Sequence, residues 1–139
     1  MALAAELAEG WQPIFYFPEK AAIAWQEPLA EGTTTFANLE ELRIKESDRI
    51  RALARELGRA GVVVEERSDG LVIEGLAGRA DALRGGTVVP EHDHRIAMAG
   101  AVLGLASPDD TLVPASEIAT SFPSFAETLR ALGAALDPI

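Results

Sequence analysis

The stretch Ile96 to Ala106 (IAMAGAVLGLA) carries no charged residue and reads as a helix. A helix of that composition has no polar face to turn to water, so it must be covered on nearly every side. It falls short of the roughly 18 apolar residues that a membrane-spanning helix needs, and no other apolar run in the chain reaches that length. The cover must therefore come from the rest of the polypeptide. A chain of 139 residues with 48% hydrophobic content can supply it as one domain with a real core.

Around this buried helix the pattern alternates between strands and helices. Thr33-Thr34-Thr35-Phe36 is β-branched and aromatic and predicts a strand. After a loop through Asn38, Ile50, Leu53, Ala54 and Leu57 recur at helical spacing, with Ser47 as N-cap and Gly58 or Gly61 as the stop. Val62 to Glu66 and Leu71 to Glu74 form a hairpin pattern around Ser68-Asp69-Gly70. Thr87 to Val89 and Thr111 to Val113 are short strand candidates. Ser124 and Glu127 have capping-box spacing before a helix bearing Phe125, Leu129 and Leu132, closed by Gly133. The order predicts an α/β (α+β) fold of repeated small units. Residues 1 to 29 are less legible: a helical stretch from Ala2 to Glu9, an aromatic edge strand from Trp11 to Pro18, and a helical turn from Ala21 to Gln26.

With 22 acidic and 12 basic residues the formal net charge is −10, which opposes general binding to nucleic acid or to an anionic membrane. An anionic ligand would have to be held by a local cluster. Cysteine is absent, so there is no disulfide framework and no thiolate zinc site, and a cytoplasmic location is expected. Residues 1 to 10 lack the basic and apolar regions of a signal peptide. No phosphate-loop, dinucleotide, zinc-protease or serine-elbow motif is present.

Two charged clusters remain. Arg43, Lys45, Glu46, Asp48 and Arg49 sit where a loop enters a helix, a place where free N–H groups add to side-chain cations in holding an anion. Arg49 can grip a phosphate or carboxylate bidentately, Lys45 can act as a point charge, and Glu46 beside them is the proton-transfer candidate. The spacing is equally that of a solvated helix start with routine ion pairs. Glu91-His92-Asp93-His94-Arg95 stands directly before the apolar helix, where polar groups must reach water or face a cleft. A metal site through His92 and His94 lacks a third distant ligand and is not expected.

Ala30-Glu31-Gly32-Thr33-Thr34-Thr35, Glu41-Leu42-Arg43-Ile44-Lys45-Glu46-Ser47-Asp48-Arg49-Ile50, His92-Asp93-His94-Arg95-Ile96-Ala97-Met98-Ala99 and Ser121-Phe122-Pro123-Ser124-Phe125 occur in this order. Together they closely resemble the 5-enolpyruvylshikimate-3-phosphate synthase family of enolpyruvyl transferases, over about residues 30 to 136. The resemblance implies part of an inside-out α/β barrel of βαβαββ units, helices inside and sheets outside. It implies transfer of the enolpyruvyl group of phosphoenolpyruvate to the 5-hydroxyl of shikimate 3-phosphate, with no metal and no organic cofactor. By motif position Lys45 would contact shikimate 3-phosphate, Glu46 with Lys45 would be catalytic, and Arg49, Arg95 and His94 would bind phosphoenolpyruvate.

Family members are roughly three times longer, so the resemblance implies a missing N-terminal domain and no activity for this chain alone. Thr120 replaces a lysine usual before Ser-Phe-Pro, and an Asp-Glu pair of the family retains only its Glu, as Glu19 after Pro18. The expected organisation is a divergent segment 1–29 and a family-like segment 30–139 within a single domain. The expected partners are the two anionic substrates and either a complementing N-terminal domain or further copies of the chain. The alternative expectation is a related protein that binds or oligomerises without catalysis.

Overall fold

A computed structural model describes residues 27–138. The helix, edge strand and helical turn expected before residue 27 lie outside the described residues. Among the described residues, three short 3₁₀ turns (Glu27–Leu29, Glu40–Ile44 and Ala80–Ala82) punctuate five strands and four α-helices. The strands are β1 (Thr33–Phe36), β2 (Val63–Arg67), β3 (Gly70–Glu74), β4 (Gly86–Thr87) and β5 (Thr111–Leu112). The helices are α1 (Arg49–Arg59), α2 (His94–Gly104), α3 (Ala115–Ala119) and α4 (Phe125–Ala131). Mixed helix and sheet is the class expected from the pattern.

The hairpin forms as the turn residues predict. β3 is the centre of an antiparallel sheet in the order β1-β3-β2, with Phe36 and Glu66 both opposite Leu71. Alternation along β3 sends Leu71 and Ile73 into the core, where they join Ile50, Leu53 and Leu57 of α1. At Gly70 a β-carbon would stand 1.9 Å from the Phe36 carbonyl oxygen, so the close strand crossing there requires glycine.

β4 and β5 pair in parallel, Gly86 with Thr111 and Thr87 with Leu112, and α2 is the crossover between them. Each is a two-residue piece, shorter than Thr87 to Val89 or Thr111 to Val113 predicts, because the ladder ends where the chain turns through Pro90 and Pro114. The apolar helix is inside, as its composition demands. Ile96 and Leu103 belong to the core over the first sheet, while Ala97, Met98 and Ala101 join Ile118, Phe125 and Leu129 in a second core under α3 and α4. Its glycines allow the close approach: a β-carbon on Gly100 would lie 2.7 Å from both Val88 methyls.

Two local expectations are corrected and one element is added. Asp48, not Ser47, caps α1, accepting from the Arg51 N–H at 3.1 Å. Ser124 precedes α4 but forms no side-chain cap, because its backbone is near-helical and the capping-box geometry is lost. The five-residue α3 after Pro114 is an addition that no periodicity announced. Among the described residues, no helix is long and apolar enough to cross a membrane.

Candidate functional site

The two charged clusters meet in the structure through Arg49 and Asp93, 44 residues apart in sequence. Arg49, the first residue of α1, is 4% exposed, and its Nε donates to Asp93 Oδ2 at 2.7 Å. Its Nη2 reaches Asp93 Oδ1 at 3.4 Å and also donates to the Glu46 carboxylate. The Ser47 hydroxyl, taken from its expected cap role, donates to the same Asp93 Oδ2 at 2.9 Å. On the other carboxylate oxygen, Oδ1 accepts the backbone N–H of Arg95 at 3.0 Å, which makes Asp93 the N-cap of α2.

Asp93 is fully buried, and burial by itself pushes its carboxyl up. Hydrogen bonds from Arg49 and Ser47, the Arg49 charge and the Arg95 N–H outweigh that and hold the group below the usual carboxylate range. Sequence reading singles out Arg95 and passes over Asp93, although an Asp directly before an apolar helix is a cap signal. What the sequence could not show is that the cap is also the counter-ion of Arg49.

The approach to Asp93 is held in an uncommon backbone form. Glu91 and His92 both have left-handed φ values, 52° and 65°, a conformation that costs a residue with a β-carbon roughly 1–2 kcal/mol. Arg55 of α1 fastens this turn. Its Nε donates to Glu56 Oε1 at 2.9 Å, and its Nη groups donate to the Glu91 carboxylate and the Val89 carbonyl. His92 is nearly free in solvent and its Nδ1 lies 3.2 Å from Glu117 Oε1 on α3.

The first cluster divides. Arg43 turns away from Arg49: its Nε donates to the Ser68 carbonyl at 2.7 Å, and its other nitrogens meet Asp48, Glu66 and the Arg67 carbonyl. It secures the β2–β3 hairpin to the start of α1, so Arg43 and Asp48 leave the anion cluster that their spacing suggested. Lys45 and Glu46 are exposed beside Arg49, and Lys45 has no ion pair among the described residues. His94 and Arg95 open α2, half-buried. The Thr120 hydroxyl donates to the Glu117 carbonyl at 3.1 Å, closing α3. A groove of about 240 Å³ lies elsewhere, between Arg59, Leu83 and Gly104, and contains none of these motif residues.

The arrangement is a buried Arg–Asp pair with an exposed carboxylate and an exposed lysine in the segment before α1, and Arg95 on the first turn of α2. The Arg49 charge is met by two carboxylates, Asp93 inside and Glu46 at the surface, and Lys45 adds a cation at the exposed margin.

A family model described as EPSP synthase (3-phosphoshikimate 1-carboxyvinyltransferase) matches residues 17–129, starting ahead of the motif-based boundary at Ala30. The 3-phosphoshikimate 1-carboxyvinyltransferase of Paramagnetospirillum magneticum is 46% identical over 117 residues, covering 84% of this chain and 26% of that protein. The protein of the same name from Methanocella arvoryzae is 50% identical over 109 residues, covering 78% and 25%. A solved EPSP synthase from Acinetobacter baumannii superposes with a TM-score of 0.74 at 36% identity, covering 81% of this chain and 26% of that one. The chain thus spans about a quarter of the length of these relatives.

Proposed function

The chain belongs to the EPSP synthase family, and on that premise we propose that it forms one wall of an enolpyruvyl-transfer site in the shikimate pathway. In this reading Arg49 and Arg95, with His94 beside them, bind phosphoenolpyruvate, Lys45 binds shikimate 3-phosphate, and Glu46 with Lys45 acts on the reacting groups. The opposite wall comes from a complementing N-terminal domain, and the protein works in the cytoplasm. The observation that carries the reading is the junction at Asp93, which brings Arg49 of one block and the Arg95 backbone of the other onto a single carboxylate.

The reaction adds the 5-hydroxyl of shikimate 3-phosphate to C2 of phosphoenolpyruvate while C3 gains a proton; loss of phosphate with return of that proton restores the vinyl group. A carboxylate at Glu46 can carry a proton in each direction, and the flanking cations stabilise charge on phosphate and carboxylate oxygens. Such stabilisation needs positioned groups from both sides of a water-poor site, so this wall alone is expected to bind more readily than it turns over.

The test titrates the chain with phosphoenolpyruvate while side-chain resonances of Lys45, Arg49 and Arg95 are followed. A shared response, weakened in Arg95→Ala and in Arg49→Lys, supports the clamp; unchanged affinity in both variants refutes it. Adding the N-terminal part of a relative and following phosphate release then separates catalysis from binding. Thr120, used to close α3 where the resemblance expects a lysine, favours a second reading: anion binding without turnover. Binding that no N-terminal fragment converts into phosphate release would select it.

A further inference from the structure

The Arg49 guanidinium and the Arg95 backbone N–H both touch one group that cannot itself meet a ligand. Asp93 is 0% exposed, and four donors converge on it: Arg49 Nε and the Ser47 hydroxyl on Oδ2, the Arg95 N–H and Arg49 Nη2 on Oδ1. We propose that Asp93 is a positioning residue, whose buried carboxylate locks the Arg49 guanidinium to the first turn of α2 so that the two arms of the clamp form one preset unit. The proposal deepens the reading of Arg49 and Arg95 as an anion clamp and rests on it.

The two counter-ions of Arg49 differ in kind. Glu46 has a side chain 48% exposed and belongs to the same local segment, three residues away, so it can exchange for an incoming anion at little cost. Asp93 comes from a distant segment, has no route to water and is held by three further bonds besides Arg49 Nε. Separating it from Arg49 would strand a charge in the interior. A guanidinium has five N–H donors, so fixing the Nε edge leaves the Nη1 edge for a ligand while removing the rotameric freedom that binding would otherwise cost. The Arg55 clasp on Glu91 and Val89 and the left-handed turn at Glu91-His92 hold the carboxylate at that height. A fixed orientation of this sort is what a site needs for a ligand that must be aligned as well as held.

The experiment reads Arg49 first without ligand. In the full chain labelled with ¹⁵N, the Arg49 Nε proton, assigned by its loss in Arg49→Lys, is expected to exchange with solvent at least about tenfold more slowly than that of exposed Arg51. In Asp93→Asn this protection disappears, and phosphoenolpyruvate affinity per folded molecule falls about tenfold. Ser47→Ala removes only a half-buried hydroxyl and is the second variant should Asp93→Asn not fold. It is expected to speed Arg49 exchange several-fold. A purely structural Asp93 would lower the melting temperature of the variants without changing exchange or affinity in the folded fraction, and that result overturns the proposal. So does wild-type exchange at Arg49 as fast as at Arg51. Protection that Asp93→Asn abolishes, in a chain whose spectrum ignores phosphoenolpyruvate, sinks the proposed function and leaves the hold of Asp93 on Arg49 standing.

Discussion

Arg49→Ala is expected to cost the fold far more than a substitution at a ligand-binding arginine usually does. Truncation leaves the fully buried Asp93 carboxylate with only the Ser47 hydroxyl and the Arg95 N–H as donors. Breaking one side of a buried ion pair costs about 3–5 kcal/mol, and the two remaining bonds place this case near the lower end, about 3 kcal/mol. Loss of the exposed Glu46 contact adds less than about 1 kcal/mol. Against a typical stability of about 5–15 kcal/mol this is a large fraction. Urea unfolding at pH 7 by linear extrapolation measures it. The difference should also depend on pH. In the wild type the Asp93 carboxyl is held below its unfolded value, so its contribution is complete above the ordinary carboxylate range and is lost as pH falls through the folded value. Without Arg49, burial becomes the larger influence and the folded carboxyl rises, so a proton taken up on folding relieves the variant as the medium is acidified. The gap between the two proteins should therefore narrow from pH 7 toward about pH 4. Replacing both partners, Arg49→Met with Asp93→Leu, should cost less than Arg49→Ala alone. A pH-independent loss below about 1 kcal/mol would refute the reasoning, because it would mean that Asp93 is not effectively buried or that its other donors suffice.

Glu46→Gln removes the exchangeable counter-ion of Arg49 and should change unfolding free energy by less than about 1 kcal/mol while tightening phosphoenolpyruvate binding a few-fold; titration calorimetry showing weaker binding would contradict the assignment of Glu46 as displaceable. Gly100→Ala places a methyl 2.7 Å from both Val88 methyls, and the overpacking, about 1–3 kcal/mol, should exceed the roughly 1 kcal/mol gained in helix propensity. Val88→Ala in the same chain should relieve it, and strictly additive losses in thermal unfolding would show that the two side chains do not compete for that space.

The elements that could be read in advance are those whose cause is local. The hairpin needs only its turn residues and two β-rich runs, and α1 and α2 need only their periodicity and composition. The errors sit where a side chain is committed to a distant partner. Ser47 has the chemistry of an N-cap, yet its hydroxyl is drawn to Asp93, and the cap passes to Asp48. Arg43 and Arg49 look equivalent in the sequence, six positions apart in one charged block. Leu42, just before Arg43, is buried in the core with α1, and the chain leaves the 3₁₀ turn at Lys45, so Arg43 faces the hairpin carbonyls and Arg49 faces α2.

The same separation explains how one short charged block can serve two purposes without conflict. Arg43 and Asp48 secure the block to the sheet, which fixes where α1 begins. Arg49 then emerges from a fixed start toward a fixed carboxylate, while Lys45 and Glu46 lie on the exposed side of the bend. A cluster free throughout would present more charge to water but would spend part of any anion's binding energy on ordering itself. Rigid anchoring on one side of the block is therefore the condition under which its other side can act as a site.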